Sequence, residues 1–445
     1  MNKYQSYKPS GVEWVGEIPK SWEETRLKYV GNLYGGLTGK SGEDFKQEDN
    51  SNNKPYIPYT NIFRNTYISK NHVDYVVLGE GENQNKVQKF DLFFLMSSET
   101  YQDLGKPCIL VDDIEELYLN SFCKGFRVNR IDISPLFLNY QLLGSVHKEL
   151  ISIEGRGFTR INLRQDRLNE TPIFLPPLNE QHQIVQFLDE KTDLIDKLIS
   201  TKERKITLLK EQRTSLINQV VTKGLNPNVK MKNSGVEWIG EIPEGWMVSK
   251  FKYVSEIVTG NTPSKTDGGD YYSDEGFLWI KPTYLKGDKY VNDSDEKLTE
   301  LGKKQTRVIP KDSIMICCIG NTIGKYGMSE QEVSTNQQIN SVIPNKSIIT
   351  PWYCLYFVDV FTKDLLNRSN FVTLPILTKT DLENIEIIIP TLEEQVCIVE
   401  NIISKTKEID DLVQLEQKKI DLLKEYRQSL ISEVVTGKIK VTTDE

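Results

Sequence analysis

Two stretches of the chain carry apolar side chains at alternating intervals of four and three residues. The first series runs from Leu188 to Val220, and a matching series runs from Ile402 to Val434. An average spacing of 3.5 residues is the heptad pattern of helices that pack along each other. The pattern predicts two long spacer helices, at 178–223 and 391–438. A whole folded segment separates them, so we expect them to run antiparallel.

The segments before these helices follow a different pattern. Short apolar runs alternate with Gly, Asn, Asp and Pro, which is typical of strands bounded by turns. Such runs occur at 75–78, 90–96, 277–280 and 314–319. One helix is also predicted in each segment, at 136–148 and 352–366, because a serine or threonine followed by a proline precedes it.

The flanks of these segments are repeated within the chain. SGVEWVGEIP at 10–19 returns as SGVEWIGEIP at 234–243, and LLKEQRTSLI at 208–217 returns as LLKEYRQSLI at 422–431. The interiors are not repeated, which indicates a common scaffold that carries two different recognition surfaces. The predicted fold class is therefore α+β: two pseudo-symmetric mixed α/β domains joined by two long antiparallel helices that form a coiled-coil spacer.

Composition limits the possible surfaces. The chain has 445 residues and a mass of 51.2 kDa, with 55 Lys plus Arg against 63 Asp plus Glu, a net charge of −8 and a pI near 5.3. This balance excludes a uniformly basic surface, so a nucleic-acid contact has to be a local patch or be completed by a partner. No apolar run approaches the roughly 18 residues of a membrane helix, and the start has no secretion-signal pattern. We expect a cytoplasmic protein.

The signatures of catalysis are missing. His72, His147 and His182 are isolated and the 6 cysteines form no C-x-x-C pair, so no metal is expected. The turn GGLTGKS at 35–41 has Tyr34 where a phosphate-binding loop needs glycine. No Asn-Pro-Pro-Tyr loop or glycine-rich turn for S-adenosylmethionine occurs. Two alternatives stay open: an autonomous DNA methyltransferase or nuclease with an unrecognised active site, and a coiled-coil scaffold without a DNA role.

Polar and basic side chains in turns are the candidate contacts with DNA, since base edges are read by polar groups and phosphates by Lys, Arg and backbone amides. They lie in an arginine-rich run at 155–167, its counterpart at 367–379, two glycine turns and a loop after the strand at 314–319. The predicted DNA-binding residues are Thr38, Lys40, Ser41, Arg156, Phe158, Thr159, Arg160, Arg164, Thr262, Ser264, Lys265, Asn321, Thr322, Lys325 and Arg368. The alternative for each segment is a solvated turn.

The repeated flanks also carry a family resemblance. SGVEWVGEIPKSW followed by RLKYVG, the run RINLRQDRL leading into PIFLPPLNEQHQIVQFLD, and LLKEQRTSLI with the closing VVTKG resemble the specificity (S) subunit of type I restriction-modification enzymes. The resemblance covers essentially the whole chain and is weakest in the interiors. It implies target recognition domain 1 at 1–177 with a scaffold segment at 1–30, a spacer helix at 178–223, a linker, scaffold repeat and target recognition domain 2 at 224–390, a second spacer helix at 391–438 and a tail at 439–445.

The resemblance implies a non-catalytic subunit whose two domains each bind half of a bipartite, asymmetric site in double-stranded DNA. It also implies docking of two modification (methyltransferase) subunits and of restriction (translocase and nuclease) subunits. S-adenosylmethionine, ATP and Mg are expected on those partners, and no cofactor on this chain. The predicted partner-docking residues are Trp14, Trp22, Trp238, Trp246, Glu180, Gln181, Glu394 and Gln395. The alternative for the tryptophans is a hydrophobic clasp that fastens each repeated segment to its domain.

Overall fold

The computed structural model describes residues 3–45, 50–157, 159–264, 269–287, 289–368 and 376–441. Contacts divide the chain into two compact units. Unit 1 consists of Met1–Glu203 with Lys418–Glu445, and unit 2 of Arg204–Gln417. Each unit therefore contains one variable interior and a part of both long helices. The predicted domain order places each long helix in a region of its own, whereas the contacts divide each helix between the two units.

The elements of unit 1, in the part that is described, are short strands and short helices. They are β1 (Tyr7–Pro9), β2 (Glu17–Pro19), β3 (Glu23–Arg26), β4 (Gly31–Gly35), β5 (Asn53–Ile57), α1 (Tyr59–Arg64), β6 (Tyr67–Ile68), β7 (Asp74–Val77), β8 (Leu92–Leu95), β9 (Ser97–Ser98), β10 (Pro107–Leu110), β11 (Tyr118–Leu119), β12 (Cys123–Val128), α2 (Pro135–Leu143), α3 (Ser145–Ser152), β13 (Ile161–Asn162), α4 (Gln165–Asn169) and β14 (Pro172–Leu175). The first long helix, α5 (Leu178–Lys223), follows and ends in unit 2.

Unit 2 has a similar order of elements. Its described elements are β15 (Met231–Asn233), β16 (Glu241–Pro243), β17 (Met247–Lys250), α6 (Phe251–Val254), β18 (Ser255–Thr259), β19 (Tyr272–Ser273), β20 (Phe277–Ile280), β21 (Tyr290–Val291), β22 (Lys297–Leu298), α7 (Glu300–Lys304), β23 (Val308–Ile309), β24 (Ile314–Cys317), β25 (Tyr326–Ser329), β26 (Val333–Thr335), β27 (Ile339–Pro344), α8 (Pro351–Arg368), α9 (Lys379–Asn384) and β28 (Glu386–Ile389). Of these, β19, α7 and β23 are additional to the order of elements in unit 1. The second long helix, α10 (Leu392–Val435), ends in unit 1.

One five-stranded sheet has the same topology in both units. Its order is β4-β12-β8-β10-β6 in unit 1 and β18-β27-β24-β25-β21 in unit 2, with neighbours antiparallel except for the last pair, which is parallel. A second sheet pairs β5 with β11 in unit 1 and β20 with β26 in unit 2, both in parallel. The interiors therefore share a fold although they share little sequence, because apolar patterning and turn positions define a sheet more strongly than residue identity does.

The repeated flanks form a small scaffold around each interior. In unit 1, β1 pairs with β2 and β3 with β14; in unit 2, β15 pairs with β16 and β17 with β28. The strand that enters the interior is thus paired with the strand that leads into a long helix. This shared strand pairing explains why the flanks are repeated in sequence: in both units the same two strands pair at the two ends of the variable interior.

The two long helices run antiparallel within each unit, as the heptad pattern predicts. In unit 2, Lys205 Nζ lies 2.9 Å from Glu416 Oε1, and Arg213 Nε lies 3.2 Å from Asp410 Oδ1. In unit 1, Arg427 Nε lies 3.1 Å from Asp196 Oδ1, and these two residues are the repeat equivalents of Arg213 and Asp410. Residue numbers that rise along one helix meet numbers that fall along the other, so the predicted antiparallel direction is confirmed.

One predicted helix differs from the structure. The range 136–148 is divided into α2 and α3 at Gly144, whereas α8 in unit 2 is continuous. A Cβ on Gly144 would lie 3.1 Å from Val435 Cγ2, so the glycine and the break allow the end of α10 to approach closely. No helix in the described ranges is both long and apolar enough to cross a membrane.

Candidate nucleic-acid interface

In unit 1 the arginine-rich segment is attached to the chain that leaves β8, the middle strand of the largest sheet. β9 follows β8 directly and pairs with β13, which lies within the arginine-rich segment. The Leu163 N–H also donates to the Met96 carbonyl at 2.9 Å. Arg156, Thr159 and Arg160 precede this attachment and are exposed. Three predicted DNA contacts are thus gathered at one end of the sheet.

Unit 2 has the same attachment at the corresponding strand. After β24, Ile319 forms a bridge with Ile376, and the Leu377 N–H donates to the Cys318 carbonyl at 2.8 Å. The counterpart of the arginine-rich segment therefore meets the loop that carries Asn321, Thr322 and Lys325. These two segments were predicted separately as DNA contacts, and the structure brings them to the same end of the sheet.

Three arginines of the unit 1 segment are held by acceptors within the unit. Arg156 Nη1 donates to two backbone carbonyls that lie just before it in the chain, both at 2.8 Å. Arg164 makes a two-pronged contact with Asp166 at 3.0 and 2.9 Å, and Arg167 lies 3.5 Å from Glu154. Exposed ion pairs of this kind are weak, so the guanidinium of Arg164 can exchange its partner at little cost.

Arg160 differs from these three because it has no acidic partner among the described residues. Its guanidinium lies 5.6 Å from the centre of the Phe122 ring, and 55% of Phe122 is exposed. A cation over an aromatic face is oriented without being neutralised. Arg160 and Phe122 thus form an exposed, positively charged aromatic pair. Sequence reasoning missed Phe122, whose only signal is an aromatic residue in the turn before β12.

The lysine of the first glycine turn is neutralised inside the unit. Lys40 is bound to Glu82, and only 10% of its side chain is exposed. The hydrogen bond from Lys40 lowers the pKa of Glu82 to about 2, which keeps the carboxylate charged. Lys40 stays a predicted DNA contact, but a phosphate could bind it only after this pair opens.

The other two predicted contacts of this turn also have internal partners. The Thr38 N–H donates to Gln84 Oε1 at 3.1 Å, and Gln84 Nε2 donates back to the Thr38 carbonyl at 2.8 Å. The Ser41 N–H donates to Asp44 Oδ2 at 2.7 Å, and this backbone hydrogen bond lowers the pKa of Asp44. The turn is therefore closed by its own polar groups.

The glycine turn of unit 2 is connected to the amide-rich strand end that follows β26. The Thr262 hydroxyl donates to Gln337 Oε1, and the Asn261 amide donates to the Gln305 carbonyl at 2.7 Å. Ser264 is described, with a contact of its own. Lys265 lies outside the described residues, as does Phe158 of unit 1, and Arg368 is described only as the last backbone position of α8.

The loop between β24 and β25 presents two predicted contacts to solvent. It is an antiparallel hairpin in which Gly320 and Gly324 have φ of +80° and +82°, a conformation that favours glycine. Thr322 Oγ1 lies 3.2 Å from Cys317 Sγ, whereas Asn321 and Lys325 are exposed. Lys325 has no acidic partner within the described ranges. It lies in the loop that meets the counterpart of the arginine-rich segment, so unit 2 also has a cation without a described acidic partner at this end of the sheet.

Two of the predicted docking tryptophans close the scaffold instead of facing solvent. Trp22 Nε1 donates to Glu180 Oε1 at 3.1 Å, and Trp246 Nε1 donates to Glu394 Oε1 at 3.2 Å. Both indoles are buried, and Tyr4 adds a second bond to Glu180 at 2.6 Å. This geometry is the clasp that was the alternative interpretation: each repeated segment is fastened to the first turn of a long helix. Partner docking by these four residues stays a prediction.

The neighbouring glutamines are buried and fully bonded. Gln181 Oε1 accepts the Ser134 N–H at 2.8 Å, and Gln395 Oε1 accepts the Thr350 N–H at 2.7 Å. Each Nε2 donates to two backbone carbonyls at 2.8–3.1 Å. Because both N–H groups of each buried amide are used and its oxygen accepts a backbone N–H, these side chains join the long helix to the segment before the helix inside each interior.

The remaining tryptophans are not equivalent. Trp14 is 48% exposed, whereas Trp238 packs against Phe357 and Phe361 on α8, with ring centres 5.7 and 6.2 Å apart. Of the four predicted docking tryptophans, Trp14 is therefore the one with a large exposed face. No group of residues able to hold a metal ion occurs in the described part of the chain.

Two segments, residues 19–208 and 243–425, match the family described as Type I restriction modification DNA specificity domain. The chain belongs to this family. It is a specificity subunit, a non-catalytic DNA-recognition chain with two recognition domains, one matched segment for each variable interior.

Full-length relatives support this assignment. The chain is 27% identical over 446 residues to a Methanocaldococcus jannaschii protein named as the MjaX type I restriction enzyme specificity subunit, with 96% of each chain covered. It is 24% identical to the MjaVIII specificity subunit of the same organism, with 95% of this chain and 94% of the relative covered.

Solved structures show the same fold. A chain from a structure of the type I R-M system, titled for its complex assembly and conformational transition, has a TM-score of 0.71 at 17% identity and covers 95% of this specificity subunit and 99% of its own length. The HsdS subunit from Thermoanaerobacter tengcongensis has a TM-score of 0.53, also at 17% identity, with 95% and 98% covered.

Proposed function

We propose that this specificity subunit binds a bipartite, asymmetric site in double-stranded DNA, unit 1 on one half and unit 2 on the other. The observation that carries the proposal is that each unit has an exposed cation without an acidic partner in the described ranges, Arg160 in unit 1 and Lys325 in unit 2. Arg160 is on the segment attached to the chain after β8, and Lys325 is in the loop after β24. A free cation at this end of the sheet in each unit suits a phosphate contact, while the different side chains around it suit different base sequences.

The predicted DNA-binding residues divide into two groups on this view. Thr159, Arg160, Asn321 and Lys325 are exposed and available. Thr38, Lys40, Ser41, Arg156, Arg164, Thr262 and Thr322 have partners within their own unit and would contact DNA only by exchanging them. An electrostatic contribution confined to a few cations is consistent with the net charge of −8.

We further propose that the long helices set the number of base pairs left unread between the half-sites and carry the partner subunits. Apolar residues stay exposed along them outside the helix contact: Leu194, Leu198, Leu422 and Tyr426 in unit 1, and Leu208, Leu412 and Leu415 in unit 2. In unit 1 both helices and residues 439–441 line one groove of about 550 Å³. Apolar stripes of this kind suit docking of other helices.

The partners proposed for these stripes are two modification subunits, one for each unit. Leu198 and Leu208 recur as Leu412 and Leu422, each exposed in both copies, so the same partner would find the same contact twice. In such a complex the modification subunits supply S-adenosylmethionine chemistry and the restriction subunits use ATP and Mg. The complex would act in the cytoplasm.

The DNA proposal is tested by Arg160→Ala and Lys325→Ala in the full chain assembled with its modification subunits. Each variant is expected to weaken DNA binding about tenfold and to reduce the slope of log affinity against log salt by about 1, as for one lost phosphate contact. Lys230→Ala is the control, since it removes one exposed cation that lies outside both interiors and is not a predicted DNA contact. Unchanged affinity and slope in both test variants would refute the proposal.

A further inference from the structure

The internal repeat shows which identical residues are explained by folding and which are not. Positions that are identical in 10–30 and 234–254 fall into two groups that the fold explains: buried side chains such as Trp22 and Ile18, and glycines with positive φ such as Gly16 at +72°. The identical positions that remain carry side chains that are exposed in at least one unit, and most of them are exposed in both. The two interiors that these positions border have diverged in sequence. Folding does not account for the identity of these residues, so another function is needed to explain it.

Among them, the largest side chain that is exposed in both units is a tyrosine. Tyr29 is 62% exposed and Tyr253 is 67% exposed, in the repeated triplet Lys-Tyr-Val. The other repeated polar residues of this group are Glu13 with Glu237, Glu17 with Glu241, and Lys28 with Lys252. An exposed aromatic ring contributes little to folding, so its presence at the same place in two diverged units is the observation that calls for a ligand.

The turn that carries each tyrosine is fixed without help from the ring. Leu27 and Val30 on either side of the unit 1 turn are buried, and the Leu27 N–H donates to the Thr171 carbonyl at 2.9 Å. In unit 2 the Phe251 N–H donates to the Ile385 carbonyl at 3.2 Å. The tyrosine ring is therefore held outward on a rigid support in both units, which lowers the entropy cost of binding through it.

A lysine next to each tyrosine fixes the ring further. Lys28 Nζ lies 4.9 Å from the centre of the Tyr29 ring and bonds Glu170 at 2.6 Å. Lys252 Nζ lies 5.2 Å from the Tyr253 ring and bonds Asn384 Oδ1 at 2.9 Å. Glu170 and Asn384 occupy corresponding places at the ends of α4 and α9, so the arrangement is reproduced even where the acceptor differs.

From these observations we infer that Tyr29 and Tyr253 are a repeated docking contact for one protein partner that binds each unit once. This inference rests on the proposed function and takes the modification subunit as the partner. A contact with bases would differ between units, as the interiors do. A contact with phosphate is disfavoured because Lys28 is paired with Glu170 and because the other repeated side chains that are exposed in both units are glutamates. An exposed tyrosine on a rigid turn is a typical interface anchor.

The test uses Tyr29→Ala, Tyr253→Ala and the double variant of the full chain, titrated with the modification subunit and followed by native mass spectrometry. Each single variant is expected to weaken the binding of one of the two copies at least tenfold, and the double variant to weaken both. Tyr29→Phe keeps the ring and should bind within about threefold of the wild type. Tyr75→Ala is the matched control, because Tyr75 is 59% exposed in β7 but is not repeated.

Three outcomes would overturn the inference. In the first, the double variant binds both copies of the modification subunit with wild-type affinity. In the second, Tyr75→Ala weakens binding as much as the test variants do. In the third, the double variant loses DNA affinity and salt dependence without any partner present, which would assign the tyrosines to the phosphate backbone. A wild-type chain that binds no modification subunit would instead refute the proposed function. Thermal unfolding of each variant, expected to be unchanged, separates these results from loss of fold.

Discussion

Gln141 bonds the last turn of α10 to β14 in unit 1, and Tyr353 bonds the last turn of α5 to β28 in unit 2. Gln141 Nε2 donates to the carbonyls of Phe174 and Val435 at 2.6 and 3.2 Å. The Tyr353 hydroxyl lies 3.2 Å from the carbonyls of Ile388 and Val221, and it can donate to one of them at a time. The acceptors occupy equivalent positions of the repeat, whereas the donors are different side chains at different positions of their helices.

This comparison shows which features the repeat preserves. Backbone positions of the scaffold are the same in both units, and a buried carbonyl there has to receive a donor from somewhere. Which residue supplies the donor is free to change along with the interior. The same holds at the candidate DNA surface, where the corresponding end of the sheet has Arg160 in unit 1 and Lys325 in unit 2, on different segments. The two units therefore share the position of a contact but not the side chain that makes it.

The largest loss of stability is expected at Trp22 and Trp246, which occupy the same position of the repeat and make the same contact in both units. Replacing either buried indole by alanine removes its bond to the helix glutamate and leaves a cavity, which should destabilise the chain by about 3–5 kcal/mol. Peptide-resolved hydrogen exchange of the full chain should show the loss in unit 1 for Trp22→Ala and in unit 2 for Trp246→Ala. Trp14→Ala, at an exposed site, is the control with an effect of about 0.5 kcal/mol or less. A uniform loss across both units would contradict two separate clasps.

A smaller effect is a loss of stability at low pH that is confined to unit 1. All three histidines of the sequence belong to this unit, since they precede α5 or lie in its first turns. His147 is buried, and burial lowers its pKa to about 4 from an ordinary value of 6.5. Between these values the unfolded chain binds a proton that the folded chain excludes, so stability falls as the pH is lowered through this window.

At pH 5 the lowered pKa of His147 reduces the free energy of unfolding by about 2 kcal/mol, since each pKa unit is worth about 1.4 kcal/mol. Chemical denaturation at pH 7 and pH 5 should show this loss in the wild type and a smaller one in His147→Gln, with the exposed His182→Gln as control. The loss should appear in unit 1 peptides alone. Equal acid sensitivity of His147→Gln and wild type would assign the effect to other groups.

The smallest effect is expected at Tyr353→Phe, which keeps the ring and removes the hydroxyl that serves two buried carbonyls. A destabilisation of about 1 kcal/mol should result, concentrated in faster hydrogen exchange over the last turn of α5. Gln141 supplies the matching donor in unit 1, so the last turn of α10 should exchange at the wild-type rate. Faster exchange in both helix ends would mean that the two connections are not independent.

The sequence predicted the helices and the scaffold better than the surface. The heptad series located α5 and α10 and their antiparallel direction, because a long periodic pattern has few alternative structures. The range 136–148 was wrong as one helix, since the break at Gly144 depends on the approach of Val435, which lies near the opposite end of the chain. The identical strand order of one five-stranded sheet in each interior could not be predicted, because very short strands carry little register information.

The candidate site shows the same limit. The arginine-rich segment was identified from its composition, and the partner of Arg164, Asp166, lies within the same segment. Lys40 was selected as a turn residue and is paired with Glu82, 42 residues away. Phe122 was not selected at all. For a cation such as Lys40, pairing with a distant segment decides whether it remains available, and no local pattern encodes that pairing.

The division of α10 between the units has a consequence for biosynthesis. Unit 1 needs Lys418–Glu445, including the Val435 carbonyl bonded by Gln141 and Ser432, whose hydroxyl lies 2.8 Å from that of Ser145. At about 5–20 residues per second, the ribosome makes these residues roughly 10–50 s after residue 203 has been joined to the chain. Unit 1 must therefore wait, incomplete, until residues 418–445 have been made, and a stop codon before them would damage the unit whose first residues are synthesised earliest.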